Sequence, residues 1–159
     1  MSDIQLMNRD QFLRNLTEQH MTPLTYPATL TREPEGDFVV RFRHVPEALT
    51  GDATREGAAT LAADALAAAL AGYLDAGRPL PTVDATRQDE IDVPIEPALA
   101  ARAMLIAAMA AQRITNVALA QRMGKDEKAV RRIVAGQSAS FALTLAALRE
   151  VGIRPALAA

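Results

Sequence analysis

From Tyr26 to Leu30 and again from Phe38 to Phe42, apolar side chains recur at every second position, the spacing of a strand with one face buried. Pro34, Gly36 and Asp37 lie between the two runs and favour a turn, so the segment predicts a β-hairpin with Phe38, Val40 and Phe42 on one face. After His44-Val45-Pro46, residues Ala48 to Thr50 predict a short third strand, and Gly51-Asp52-Ala53-Thr54 a turn that ends in a helix N-cap at Thr54. From Arg55 to about Ala76 the period becomes helical. Leu61, Leu66, Leu70, Tyr73 and Leu74 are placed towards the sheet, and Gly77, Pro79 and Pro81 stop the helix. Residues 81–90 are polar and proline-flanked and read as a loop or interdomain connection. Ile91, Val93 and Ile95 then alternate with Asp92 and Pro94, a fourth strand that proline confines to a sheet edge. The order is β-β-β-α-β.

Beyond Pro97 the period stays helical, with helices expected at about residues 97–112, 116–123, 127–134 and 141–151, the last capped by Ser140. Within them, Asn116 to Val134 has the spacing of a helix-turn-helix. Ala120 is small where two helices cross, Gly124 can turn left-handed, Asp126 can cap the second helix, and Leu119, Met123, Val130 and Ile133 supply buried contacts. Lys125 departs from that pattern, because an apolar residue usually follows the turn glycine. With Val130, Ile133 and Val134 turned inward, Glu127, Lys128, Arg131 and Arg132 face out, and such a helix fits a DNA major groove. Arg131 and Arg132 suit guanine edges or phosphates, Lys128 a phosphate, and Glu127 a cytosine amine or a neighbouring arginine.

Charge divides the chain of 159 residues at about the same place. Residues 1–100 hold 8 Lys and Arg against 16 Asp and Glu, net −8, whereas residues 101–159 hold 9 against 3, net +6. The overall −2 therefore hides an acidic module joined to a basic one. A basic module gains affinity for nucleic acid by releasing counterions, and an acidic one suits a basic protein partner. The polar start of the chain and the interruption of its alanine-rich runs by Asp64, Asp75 and Arg102 predict a cytoplasmic protein with no membrane insertion. Cysteine is absent, which excludes disulfides, iron–sulfur clusters and thiol nucleophiles.

Taken in order, Tyr26-Pro27-Ala28, Glu35-Gly36-Asp37, the Phe38 to Phe42 strand, Val45-Pro46-Glu47-Ala48-Leu49-Thr50, the alanine-rich helix and Gly77-Arg78-Pro79-Leu80-Pro81 resemble the HicB antitoxin family of bacterial type II toxin–antitoxin systems. The segments Leu119 to Gly124 and Lys125 to Arg132 are similar to the helix-turn-helix variant of that family. The resemblance implies a partially degenerate RNase H-like N-terminal module that masks a small HicA-type mRNA interferase, and a C-terminal module that binds the operator of its own operon. An RNA-cleaving toxin should be basic, so the acidic rim residues Glu33, Glu35, Asp37, Glu47 and Asp52 are candidate toxin contacts. Residues 1–22, with an expected short helix around Arg9 to Gln19, form an appendage without a place in the family pattern.

The expected fold is thus α+β in two domains: residues 23–96 as the toxin-binding module and residues 97–159 as an all-α DNA-binding module. No catalytic, cofactor or metal site is expected. His20 and His44 lack metal-ligand spacing, Asp37, Asp52 and Asp64 do not suggest a converging carboxylate cluster, and the glycines form no phosphate-binding loop. Because one small DNA-reading helix binds weakly, a homodimer or higher even oligomer is expected. The competing reading is a stand-alone transcription regulator with an N-terminal sensor domain.

Overall fold

The computed structural model describes residues 25–137 and 140–154, so the expected helix around Arg9 to Gln19 lies outside the described residues. These residues form a mixed α/β structure with one four-stranded antiparallel sheet and five helices. Two compact units divide within the first helix of the C-terminal half, between Ala100 and Ala101.

In the first unit, strands β1 (Thr25–Arg32), β2 (Phe38–Phe42), β3 (Leu49–Asp52) and β4 (Glu90–Pro94) line up in the order β3-β2-β1-β4. Gly36, at φ +106, relieves the β1–β2 turn, where Gly36 N–H donates to the Glu33 carbonyl at 2.9 Å. A proline in the central strand β1 is tolerated because the β1–β2 ladder starts at Ala28, one residue beyond Pro27. Pro94 sits on the edge strand β4.

The third strand departs from its expected bounds. Gly51 and Asp52 are not a turn but the last two rungs of β3, opposite Val39 and Phe38. A Cβ at Gly51 would lie 3.0 Å from the Phe38 carbonyl oxygen, so the glycine permits a close strand approach that its reputation as a turn former conceals.

Register places Tyr26, Ala28, Val40, Phe42 and Val93 on one sheet face, and all five are buried. Helix α1 (Arg55–Asp75) covers that face, capped by Thr54, whose hydroxyl accepts from Gly57 N–H at 3.0 Å. Its buried stripe is Ala58, Ala62, Leu66, Leu70 and Leu74, repeating every fourth residue. Leu61, placed towards the sheet by its hydrophobicity, is instead exposed, and Tyr73 is half-buried. The fourfold spacing selects Ala62 for the contact, and the missing side-chain bulk lets the helix approach closely. By length and composition alone α1 could cross a membrane; its stripe of Ala58, Ala62, Leu66, Leu70 and Leu74 is buried.

The second unit is helical: α2 (Pro97–Gln112), whose first turn belongs to the preceding unit, then α3 (Asn116–Met123), α4 (Glu127–Val134) and α5 (Phe141–Glu150). Leu105, Ala108, Leu119, Val130, Ile133, Leu148, Val151 and Ile153 make a core of small and aliphatic side chains. Each fully buried leucine or isoleucine stabilises the unit by about 1.5–3 kcal/mol against exposure.

Candidate functional site

Two candidate surfaces emerge, one on each unit. On the helical unit, α3 begins with Thr115 as N-cap and ends at Gly124, which takes the left-handed conformation at φ 60, ψ 35. The chain reverses there, Lys125 N–H donating to the Ala120 carbonyl at 2.9 Å. Asp126 then caps α4, its Oδ1 accepting from Ala129 N–H at 2.7 Å. Caps and turn together fix where α4 starts, without help from sequence-distant residues. Lys125 is exposed, so the turn needs no apolar side chain at that position.

Val130 and Ile133 anchor α4 to the core, and Lys128, Arg131 and Arg132 are exposed on its other side. Arg131 Nη2 lies 2.8 Å from Glu127 Oε1, one helical turn away. The four residues expected on one face therefore do share it, as an ion-paired row, Glu127 and Arg131, beside an all-basic row, Lys128 and Arg132. The exposed pair contributes little to stability and places the Glu127 carboxylate beside the Arg131 guanidinium on the outward face. Arg122, in the last turn of α3, was missed as a further exposed cation; its Nη1 donates to the Glu150 carbonyl at 3.4 Å.

On the sheet unit, Phe38 faces both Arg32 of β1 and Asp52 of β3, so the hairpin turn and Asp52 occupy the same end of the sheet. Glu33, Glu35, Asp37 and Asp52 are thereby brought together. Glu47 is not, because it follows Phe42 at the opposite end, where its carboxylate accepts from the Tyr73 hydroxyl at 3.0 Å. Three of the five carboxylates have internal partners. Glu33 pairs with Arg41 at 2.8 Å, Glu47 with Tyr73, and Asp52 accepts from the Thr54 N–H and hydroxyl, both at 2.8 Å. The backbone and then the hydroxyl bond from Thr54 hold the Asp52 carboxyl below its usual range. Glu35 and Asp37 are exposed, with no side-chain partner among the described residues.

A third arrangement was invisible in the sequence. Arg43, just past β2, donates through Nε to Glu90 Oε1 at 2.6 Å and through Nη2 to the Ala85 carbonyl at 3.0 Å, and it also pairs with Asp84. His44 Nε2 lies 2.8 Å from the same Asp84. Hydrogen bonding from Arg43 holds the Glu90 and Asp84 carboxyls below the usual range, and the bond to Glu90 first, then that to Asp84 and the two charges, raises the Arg43 pKa in turn. The Tyr26 hydroxyl, pushed up to about 12 first by burial and then by nearby Tyr73, donates to the Pro81 carbonyl at 2.7 Å. These bonds fasten the long polar connection between α1 and β4 to the sheet. Beside them, on the sheet face opposite α1, lies a cavity of about 430 Å³ lined by Thr29, Arg41, Leu49, Arg87 and Glu90 among others. The only hint in the sequence is an Arg-His pair and a carboxylate-rich proline-flanked loop; nothing local says that they meet.

Comparison with known proteins adds an independent line. Residues 25–104 match a family described as HicB-like antitoxin of bacterial toxin–antitoxin system. Antitoxin HicB 1 of Photorhabdus laumondii is 36% identical over 110 residues, covering 69% of this chain and 70% of that protein. Antitoxin HicB of Escherichia coli K12 is 36% identical over 112 residues, covering 69% and 80%. Antitoxin HicB 2 of Photorhabdus laumondii is 34% identical over 111 residues, covering 70% and 78%.

Proposed function

Because the chain belongs to the HicB-like family of antitoxins of bacterial toxin–antitoxin systems, we propose that it neutralises a HicA-type toxin through residues 23–96 and represses its own operon through residues 97–159. The single observation that carries the reading is the separation of an acidic unit, matched almost entirely by the family, from a basic helical unit that exposes Lys128, Arg131 and Arg132 on one short helix.

In this reading α3, its turn and α4 are a helix-turn-helix, with α4 in the major groove. Arg131 and Arg132 address guanine edges or phosphates, Lys128 a phosphate, and Glu127 orients Arg131 through their ion pair. Paired half-sites require a homodimer or higher even oligomer. The β-β-β-α-β unit is a partially degenerate RNase H-like module that acts by covering the toxin. Glu35 and Asp37 are its free acidic contacts; Glu33, Glu47 and Asp52 divide their charge between the toxin and their internal partners.

Co-expression with the product of the adjacent short gene tests the proposal. The chain should rescue growth, co-purify with that product and shift its own promoter DNA in electrophoresis. A folded chain that neither binds the neighbouring product nor restores growth contradicts the antitoxin half, and absence of a promoter shift contradicts the repressor half.

A further inference from the structure

Arg102 on α2 is 8% exposed, and a guanidinium so deeply buried must have its charge and donors met from within. Its Nε donates to the Val134 carbonyl at 2.8 Å, and Val134 is the last residue of α4. A helix leaves its final four carbonyls without helical partners. Here Ala135 N–H serves Arg131 at 2.8 Å, Gln137 N–H serves Arg132 at 2.9 Å and Gly136 N–H serves Ile133 at 3.1 Å. Among the described residues no backbone N–H serves the Val134 carbonyl, and Arg102 donates to it. The positive group also meets the negative end of the helix dipole.

Gly136 completes the fit. It is left-handed at φ +66, and a Cβ on it would lie 2.9 Å from Arg102 Nη1 and 3.1 Å from Cζ. The guanidinium therefore fills the space that any side chain at residue 136 would need. A hydrophobic residue could fill the same volume, but it would not specify where the helix ends. The directional bond is met only when α4 stops at Val134 and Gly136 turns left-handed.

We propose that Arg102 and Gly136 form a latch that sets the last turn of α4, and with it the placement of Arg131 and Arg132, making Arg102 a positioning residue for sequence-specific DNA recognition. The inference rests on the DNA-binding reading above and deepens it: Arg102 contributes to specificity while touching no DNA. Arg102→Lys keeps the charge and loses the planar donor set. Gly136→Asn retains a residue that tolerates the left-handed conformation and pushes a side chain into the guanidinium.

The test uses the full-length chain, a promoter fragment from its own operon and an unrelated duplex of equal length, each titrated at several salt concentrations. Amide hydrogen exchange at Ala135, Gly136 and Gln137 is followed in parallel. Both variants should lose promoter affinity by roughly tenfold or more, and exchange should quicken by a similar factor, as expected for losing a bond to a charged group. Affinity for the unrelated duplex and its salt dependence should be unchanged, since the phosphate-facing cations are untouched. If Arg102→Lys lowers the melting point below the assay temperature, Gly136→Asn decides. Retained promoter preference overturns the proposal, whether or not exchange quickens, and so does an equal loss on both duplexes with a reduced salt slope, which would make Arg102 a phosphate contact. A wild-type chain with no promoter preference removes the DNA-binding reading itself, a result read before any variant is compared.

Discussion

The acidic sheet unit and the basic helical unit use their charge in opposite ways. In the sheet unit, Glu33, Glu47, Asp52, Asp84 and Glu90 are all engaged with Arg41, Tyr73, Thr54 or Arg43, and they fasten a hairpin, a helix start and a long connection. In the helical unit, Lys128, Arg131 and Arg132 stand exposed on α4, and the deeply buried Arg102 is a cation given over to architecture. Net charge is therefore a poor measure of available charge. The −8 of residues 1–100 includes an internal scaffold, and of the five carboxylates expected to meet a basic partner, Glu35 and Asp37 are the two exposed without a side-chain partner among the described residues.

The sharpest break between the units should come from the core beneath α1. Leu66→Ala or Leu70→Ala removes a fully buried side chain and should destabilise the sheet unit by about 2–5 kcal/mol, read from urea denaturation. Promoter binding should survive at protein concentrations and temperatures where the sheet unit has lost its structure. Joint loss would show that the two units fold as one.

Next in size are the α4 substitutions. Arg131→Ala and Arg132→Ala should each cost about 1–3 kcal/mol of promoter affinity where the arginine makes a bidentate guanine contact, and neither should move toxin binding. Within the same unit Ala120→Leu overfills a buried position and should cost about 1–3 kcal/mol of stability, measured by thermal melting. An unchanged melting point would remove the packing role given to Ala120.

Smaller effects should belong to the carboxylates, and pH separates the scaffold from the free ones. Asp84 and Glu90 have carboxyls held down by Arg43, so the folded chain binds fewer protons than the unfolded chain in the acid range. Their contribution is present above the ordinary carboxylate range and is lost as pH falls through the lowered folded values. Glu90→Gln should therefore be less stable than the parent near neutrality, with the gap narrowing on acidification; a gap independent of pH would assign the loss to packing. Glu35→Lys and Asp37→Lys should leave melting unchanged and slow toxin association more than they speed dissociation, an effect that fades with added salt.

What could be read from the sequence follows from how local the physics is. Caps and turns announce themselves within a few residues, so Thr54, Gly77, Gly124 and Asp126 mark α1, α3 and α4 in sequence as well as in structure, whereas the Thr115 cap of α3 was not picked out. Leu61 misled because hydrophobicity does not state which face is buried; the spacing from Ala58 to Leu74 does. Gly51 misled because the same absence of Cβ serves turns and close strand approach. Arg43 with Glu90 and Arg102 with Val134 could not be read, since partners separated by 47 and 32 residues meet only after the chain has folded. The face of α4 was legible through helical periodicity, and the 2.8 Å pairing of Glu127 with Arg131 matches one of the two partners the sequence left open for Glu127, the other being a cytosine amine.

The central claim is that toxin binding and DNA binding reside in different units, and one double variant tests it most directly. Full-length chain carrying Arg131→Ala and Arg132→Ala, with folding verified by circular dichroism, is assayed on the same preparation for promoter shift and for capture of the neighbouring gene product. The account predicts that the promoter shift is abolished while toxin capture and growth rescue stay at the parent level. An unchanged promoter shift, or loss of toxin capture along with it in a folded protein, would contradict the division of labour.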